Sequence, residues 1–262
     1  MRSKLLKISA ASAVLALAAC GDYATQTTSG KAWLAAKPPQ SVDMTPGNID
    51  QAVRDAAAVE PILRFPARIG IARLDHWTLT AIPEEEAKAW TGAAQHLGGD
   101  FGEFVPISPL ISAMLTPPFD PEMRIDLARR SIENIRLAAA RQHLDAVLVY
   151  EADATDDTKS NPLSPAEWTL IGAFVVPTEN VRAEGIAQAI LLDVRNGYAY
   201  GTVQDNVDDT EAAVRFETGE TRTALRDRVR TAAVAKLATD AEAMMRKLRP
   251  ELAALDRKQP SR

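Results

Sequence analysis

Cysteine is nearly absent from this chain: one occurs in 262 residues, at position 20. No disulfide can therefore form within the molecule, and no pair of thiols exists for a redox couple or a metal. Histidine is scarce as well. His76, His96 and His143 lie far apart in sequence, and none belongs to a His-Glu-X-X-His zinc helix. There is no Gly-X-Ser-X-Gly elbow and no phosphate-binding glycine loop. The formal charge of −5 makes the chain a poor candidate for binding nucleic acid. These absences argue against an enzyme and ask for no cofactor, no metal and no nucleic-acid partner.

What is present begins at the amino terminus. Arg2, Lys4 and Lys7 precede an apolar stretch from Ile8 to Ala19. That run is too short for a permanent membrane span and reads as an export signal. Leu17-Ala18-Ala19-Cys20 matches a bacterial lipobox, in which the cysteine thiol is diacylglycerated and cleavage leaves it as the first residue. Cys20 is thus the expected lipidation site, and residues 1–19 the lipoprotein signal. Two or more acyl chains, each methylene contributing about 0.8 kcal/mol, hold a protein stably on a bilayer. Removing 19 of 262 residues leaves 243, and losing Arg2, Lys4 and Lys7 takes the formal charge from −5 to −8. With its thiol consumed, an exported chain of that size must rest on its hydrophobic core. Gly21 rather than an acid follows the cysteine, which favours the outer membrane, facing the periplasm.

Gly, Ser, Thr, Pro, Gln and Lys then dominate to about Asn48, so residues 20–50 read as a lipidated flexible tether, interrupted by Trp33 and Leu34. A single globular α/β domain is expected over 51–250, with a polar tail over 251–262. Apolar alternation marks a strand at 68–74, Leu74 fitting only after a slip. Pro83 opens a helix whose first turn holds Glu84, Glu85 and Glu86, acids that complement the amino-end dipole. Its apolar face is Ala87, Trp90, Ala94 and Leu97, and Gly98-Gly99 ends it. An extended stretch is expected at 104–110. Asp120-Pro121-Glu122 signals the start of a long amphipathic helix over 121–142, with Ile125, Ala128, Ile132, Ile135 and Ala139 on one face. Strands follow at 145–150 and 168–176. A hairpin comes next, 187–194 and 198–203 about an Asn196-Gly197 tight turn. A last helix runs from about Glu220 to Leu248, where Pro250 stops it. Its apolar stripe is Leu225, Val229, Ala233, Leu237, Ala241, Met244 and Leu248. The order β-α-β-α-β-β-β-β-α predicts a single mixed sheet with helices packed on it.

The stretches Ala140–Ala152 and Ala189–Thr202 resemble the core of the curli-secretion and penicillin-binding-protein-activator lipoproteins, a CsgG/LpoB-like group whose fold is similar to the amino-terminal domain of TolB. Leu144-Asp145-Ala146-Val147-Leu148-Val149 and Asp193-Val194-Arg195-Asn196-Gly197 take the places of that group's strand and hairpin motifs. The likeness spans roughly residues 66–248. It implies a sheet-and-helix module that binds other envelope proteins, and it carries over no catalytic residue.

The charged side chains offer weaker readings. Glu151, Asp153, Asp156 and Asp157 form one expected acidic loop, and Asp205, Asp208, Asp209 and Glu211 another. Brought together they could supply oxygens to calcium, but their spacing is not that of an EF-hand, and solvated loops are the simpler account. Glu184 and Asp193 would meet for acid–base work only through an unusual fold. Arg222, Arg226, Arg228 and Arg230 fit either a partner surface or ion pairs along the last helix. The functional expectation is a lipid-anchored, non-enzymatic module that binds another envelope protein. The alternative is a homo-oligomeric ring or secretion-pore subunit of the outer membrane.

Overall fold

The computed structural model describes residues 23–36, 48–114, 127–160, 179–213 and 218–258. In chain order the elements are β1 (Tyr23–Thr25), α1 (Gly30–Ala36), α2 (Asn48–Ala57), β2 (Ala67–Asp75), β3 (Thr78–Thr80), α3 (Glu84–Leu97) and β4 (Gly102–Pro106). They continue as α4 (Pro109–Ala113), α5 (Leu127–Arg141), β5 (Ala146–Ser160), β6 (Glu179–Asp193), β7 (Ala199–Ala213) and α6 (Thr218–Lys258). The seven strands form one mixed sheet ordered β1-β7-β6-β5-β2-β3, with β4 added to β2. The expected fold class is the observed one.

Burial on two faces explains the central strands. Ile69 and Ile71 of β2 point to the inner face, and Ala72 and Leu74 to the outer. The alternation has no slip; it looked irregular only because both faces are apolar. β2 runs parallel to β5 and β4, and α3 and α5 supply crossovers on the two sides. Trp90, Ala93 and Leu97 of α3 join the inner core, and Ile135, Ala138 and Ala139 of α5 the outer. Glu86 takes the fourth buried place on α3, so the core stripe is Glu86, Trp90, Ala93 and Leu97 rather than one through Ala87 and Ala94.

All seven residues of the stripe expected on α6 are buried. The helix lies along the inner face of β5, β6 and β7, where Ala183, Gly185 and Ala187 let it approach closely. A Cβ on Gly185 would stand 2.4 Å from the carbonyl oxygen of Val229. Pro250 does not end α6. The ring removes one backbone donor, while Leu252 in the core and the Arg249 guanidinium, 5.1 Å from the Phe101 ring centre, keep the next turns docked. Helix therefore continues through the first eight residues of the expected tail.

Further differences follow from packing. Only β4 occupies 104–106; Pro109 starts α4 instead of extending the strand. The signal at Asp120-Pro121-Glu122 and the strand expected at 168–176 lie outside the described residues. Within the span read as a tether, Tyr23–Thr25 pairs with Val203–Gly201 of β7, and α1 packs beside α2. Gly30 sits so close that a Cβ there would overlap the Ala57 carbonyl oxygen at 1.6 Å.

The hairpin is longer than its motif. β6 and β7 are 15 residues each, and so is β5 beside them. The Asn-Gly turn is not a two-residue one: Val194–Gly197 form the loop, and only Gly197 has positive φ, at 75°. Asp193 sets this loop. Its Oδ1 accepts the amides of Arg195 (2.9 Å) and Asn196 (3.3 Å), and its Oδ2 accepts the Tyr200 hydroxyl at 2.9 Å. That hydroxyl in turn accepts the amides of Ile62 (3.0 Å) and Leu63 (2.7 Å), so the buried carboxylate latches the segment before β2 onto the hairpin.

Candidate functional site

The sequence placed two acidic loops after β-structure; the structure places those residues inside β5 and β7. Period-two alternation then divides them between faces. Asp156 and Asp205 point inward to α6. Arg222 pairs with Asp156, Arg226 lies 3.6 Å from it, and Lys236 meets Asp205 at 2.8 Å. Arg228 reaches Asp209 at 3.3 Å. Arg222, Arg226 and Arg228 are thus ion-paired to the sheet beneath them rather than to acids along their own helix. Arg230 turns to Asp227 at 2.9 Å and to Glu86 at 3.6 Å.

Glu86 is the centre of a buried polar cluster. Only 1% exposed, it accepts Arg73 Nε at 2.9 Å and the Tyr150 hydroxyl at 2.8 Å. Burial, reinforced by the Glu86 charge, pushes the Tyr150 phenol far above its ordinary range. Arg73 also donates to Thr80 Oγ1 at 3.0 Å. The cluster ties β2, β3, α3, β5 and α6 together, but it is closed off beneath the sheet and is a structural pin.

Glu151, Asp153, Asp157 and Asp208 take the alternate positions and line the outer face. Cross-strand register sets them in rows: Glu151–Gln188–Gln204, Asp153–Ile186–Asn206, and Thr155–Glu184–Asp208. Arg182 lies 3.5 Å from Asp208. Among the described residues no helix covers these rows, whereas α6 covers their backs. Glu151, Gln188, Gln204, Ile186, Asn206 and Glu184 of these rows, together with Ile132 of α5 and Trp77, line an open depression of about 990 Å³. Ile186 in its floor is 44% exposed and Trp77 at its rim 46%.

Trp77 is held there at a cost. The β2–β3 turn is the two-residue loop His76-Trp77, and both residues have positive φ, 48° and 65°. Such turns ordinarily take Asn-Gly or Gly-Gly, and a bulky side chain in the left-handed region costs on the order of 1–3 kcal/mol. Ser131 Oγ on α5 donates to the Trp77 carbonyl oxygen and braces the turn. His76 Nδ1 lies 2.8 Å from Asp75, which holds the imidazole above its ordinary pKa; Asp153 and Glu151 on the outer face push the same way. Two glycine-like backbone positions occupied by His and Trp were the signal the sequence reading missed, because it saw Thr78–Thr80 only as continued strand.

The remaining candidates separate. His96 faces Glu242 at 3.2 Å, and His143 ends α5 at φ 56°, far from His76. Glu184 stands exposed on the outer face, nine residues along β6 from the buried Asp193, or about 30 Å at 3.3 Å per residue. Among the described residues no group of three or more His, Cys, Asp or Glu is placed to hold a metal ion. None of the helices searched there is long and apolar enough to cross a membrane. Cys20 lies outside the described residues, three positions before β1.

No family model matches this chain, and no curated protein matches its sequence. Solved structures with a similar course include the PelC dodecamer from Paraburkholderia phytofirmans (12% identity, 69% of this chain and 91% of that one, TM-score 0.29). Lipoprotein GNA1162 from Neisseria meningitidis is another (15%, 63% and 98%, TM-score 0.29). A third is the hypothetical protein CT253 from Chlamydia trachomatis (9%, 68% and 97%, TM-score 0.30). At these values the likeness is a distant one of fold and carries no argument about function.

Proposed function

We propose that this chain is an envelope lipoprotein, anchored through Cys20 and facing the periplasm from the outer membrane, that binds a partner polypeptide on the outer face of β5–β7 without performing catalysis. The observation that carries this reading is the strained His76-Trp77 turn, which holds an indole at the rim of an open, polar sheet face. A fold that bore no partner there would be more stable with glycine at that position. The face suits a partner with basic and apolar side chains: Glu151, Asp153, Glu184 and Asp208 outnumber Arg182, and Ile186 and Trp77 offer apolar contact. The lipobox supports the anchor.

Photo-crosslinking residues at Gln188 and Gln204 in living cells, followed by purification of the acylated protein in mild detergent, test the reading. One reproducible adduct with an envelope protein, lost in the Trp77→Gly variant, is the expected result. A homogeneous multi-copy ring with no other protein would overturn it in favour of a pore or ring subunit.

A further inference from the structure

The span between lipid and fold is far shorter than the composition of residues 20–50 suggested. Tyr23 is already hydrogen-bonded strand, paired with Val203 at the edge of the sheet. Only Gly21 and Asp22 separate it from Cys20. Three Cα steps span at most about 11 Å, whatever path they take. The first folded residue of this protein therefore cannot stand further than that from the lipidated one.

We infer that the β1–β7 edge rests against the lipid surface, and that the sheet stands on this edge with β3 and the Trp77 turn at the far side. The inference rests on acylation of Cys20. The order β1-β7-β6-β5-β2-β3 puts five inter-strand gaps between the two edges, about 24 Å at 4.8 Å each. Side chains at the anchored edge suit a lipid interface: Tyr23 is half-buried and Lys247 Nζ lies 5.9 Å from its ring centre. The outer face does not suit one, because its excess of carboxylates is repelled by an anionic bilayer. Lying flat on that face is disfavoured, and standing on the β1 edge keeps the depression open sideways. The partner must then come to within a few tens of ångströms of the membrane, since only Gly21 and Asp22 separate the lipid from the sheet.

The test uses the full acylated protein in vesicles of phosphatidylethanolamine and phosphatidylglycerol. A bimane label is placed on Gln204→Cys, next to the partner of Tyr23, or on Thr78→Cys at the far edge; both native side chains are exposed. Headgroup-attached nitroxide should quench the label at 204 and leave that at 78 at the level of nitroxide-free vesicles. Inserting about ten Gly/Ser residues between Asp22 and Tyr23, a reach of about 17 Å, should relieve the quenching at 204. Intact mass separates the two ways to fail. Protein that carries the lipid yet shows equal quenching at both sites, or none, overturns the edge-on placement alone. Protein that carries no lipid and does not bind vesicles overturns the anchor and the placement with it.

Discussion

Replacing Glu86 by leucine should be among the most damaging single changes in this protein, and replacing its partner as well should undo much of the damage. Glu86 and Arg73 are 1% and 8% exposed, so each charge has given up nearly all its water. Their 2.9 Å contact is what makes the pair tolerable. Removing one partner of such a pair strands the other and costs about 3–5 kcal/mol, whereas replacing both by apolar residues is often close to neutral. Glu86→Leu also leaves the Tyr150 hydroxyl without its acceptor, a further 1–3 kcal/mol by the usual cost of an orphaned buried donor, roughly. With a urea slope of about 2–3 kcal/mol per molar, the midpoint for Glu86→Leu should fall by about 1.5–4 M. Unfolding followed by the fluorescence of Trp90, whose ring lies 5.1 Å from Tyr150, reads this directly. The double variant Arg73→Leu/Glu86→Leu should unfold at a higher midpoint than Glu86→Leu. Singles within about 0.5 kcal/mol of the parent, or effects that simply add, would refute the buried-pair account.

Three other changes probe different parts of the argument. Trp77→Gly should raise the unfolding free energy by about 1 kcal/mol or more, by relieving left-handed strain, while partner crosslinking is lost; a destabilised variant would show that the indole is packing rather than presenting. Burial, with the neighbouring Asp193, holds the Tyr200 phenol well above its ordinary pKa, which in the unfolded chain is about 10. Its contribution is therefore complete below about pH 10 and is lost as pH rises toward the folded value, so alkaline unfolding should steepen above 10 and lessen in Tyr200→Phe. That variant should also be less stable at neutral pH by about 1–3 kcal/mol, because the amides of Ile62 and Leu63 lose their acceptor. Gly185→Val would drive a side chain into the backbone at Val229, and should speed amide exchange in the first half of α6 before it affects the second.

The sequence by itself determined what local periodicity and capping can encode. The 3–4 spacing from Leu225 to Leu248 specified a buried helical stripe, and alternation with turn residues located β2 and the β6–β7 hairpin. The run of Glu84–Glu86 marked the start of α3 correctly, since all three lie in the first turn. Which of the three would be buried was not legible. That depends on Arg73, Tyr150 and Arg230 arriving from three other elements, and no local pattern distinguishes Glu86 from Glu85. The acidic runs show the same limit. Polar residues at 151–157 and 204–211 read as loops because a strand was expected to alternate polar with apolar. Instead the inward positions Asp156, Asp205 and Asp209 carry carboxylates matched to Arg222, Lys236 and Arg228 of α6, a pairing more than sixty residues away for Asp156 and Arg222. The tether failed for a related reason: Tyr23–Thr25 has little strand signal of its own and is held by the open edge of β7. Tertiary structure decided these points because a buried charge or an edge strand is stable only with partners the chain brings from afar, and pairings of that kind leave no trace in local composition.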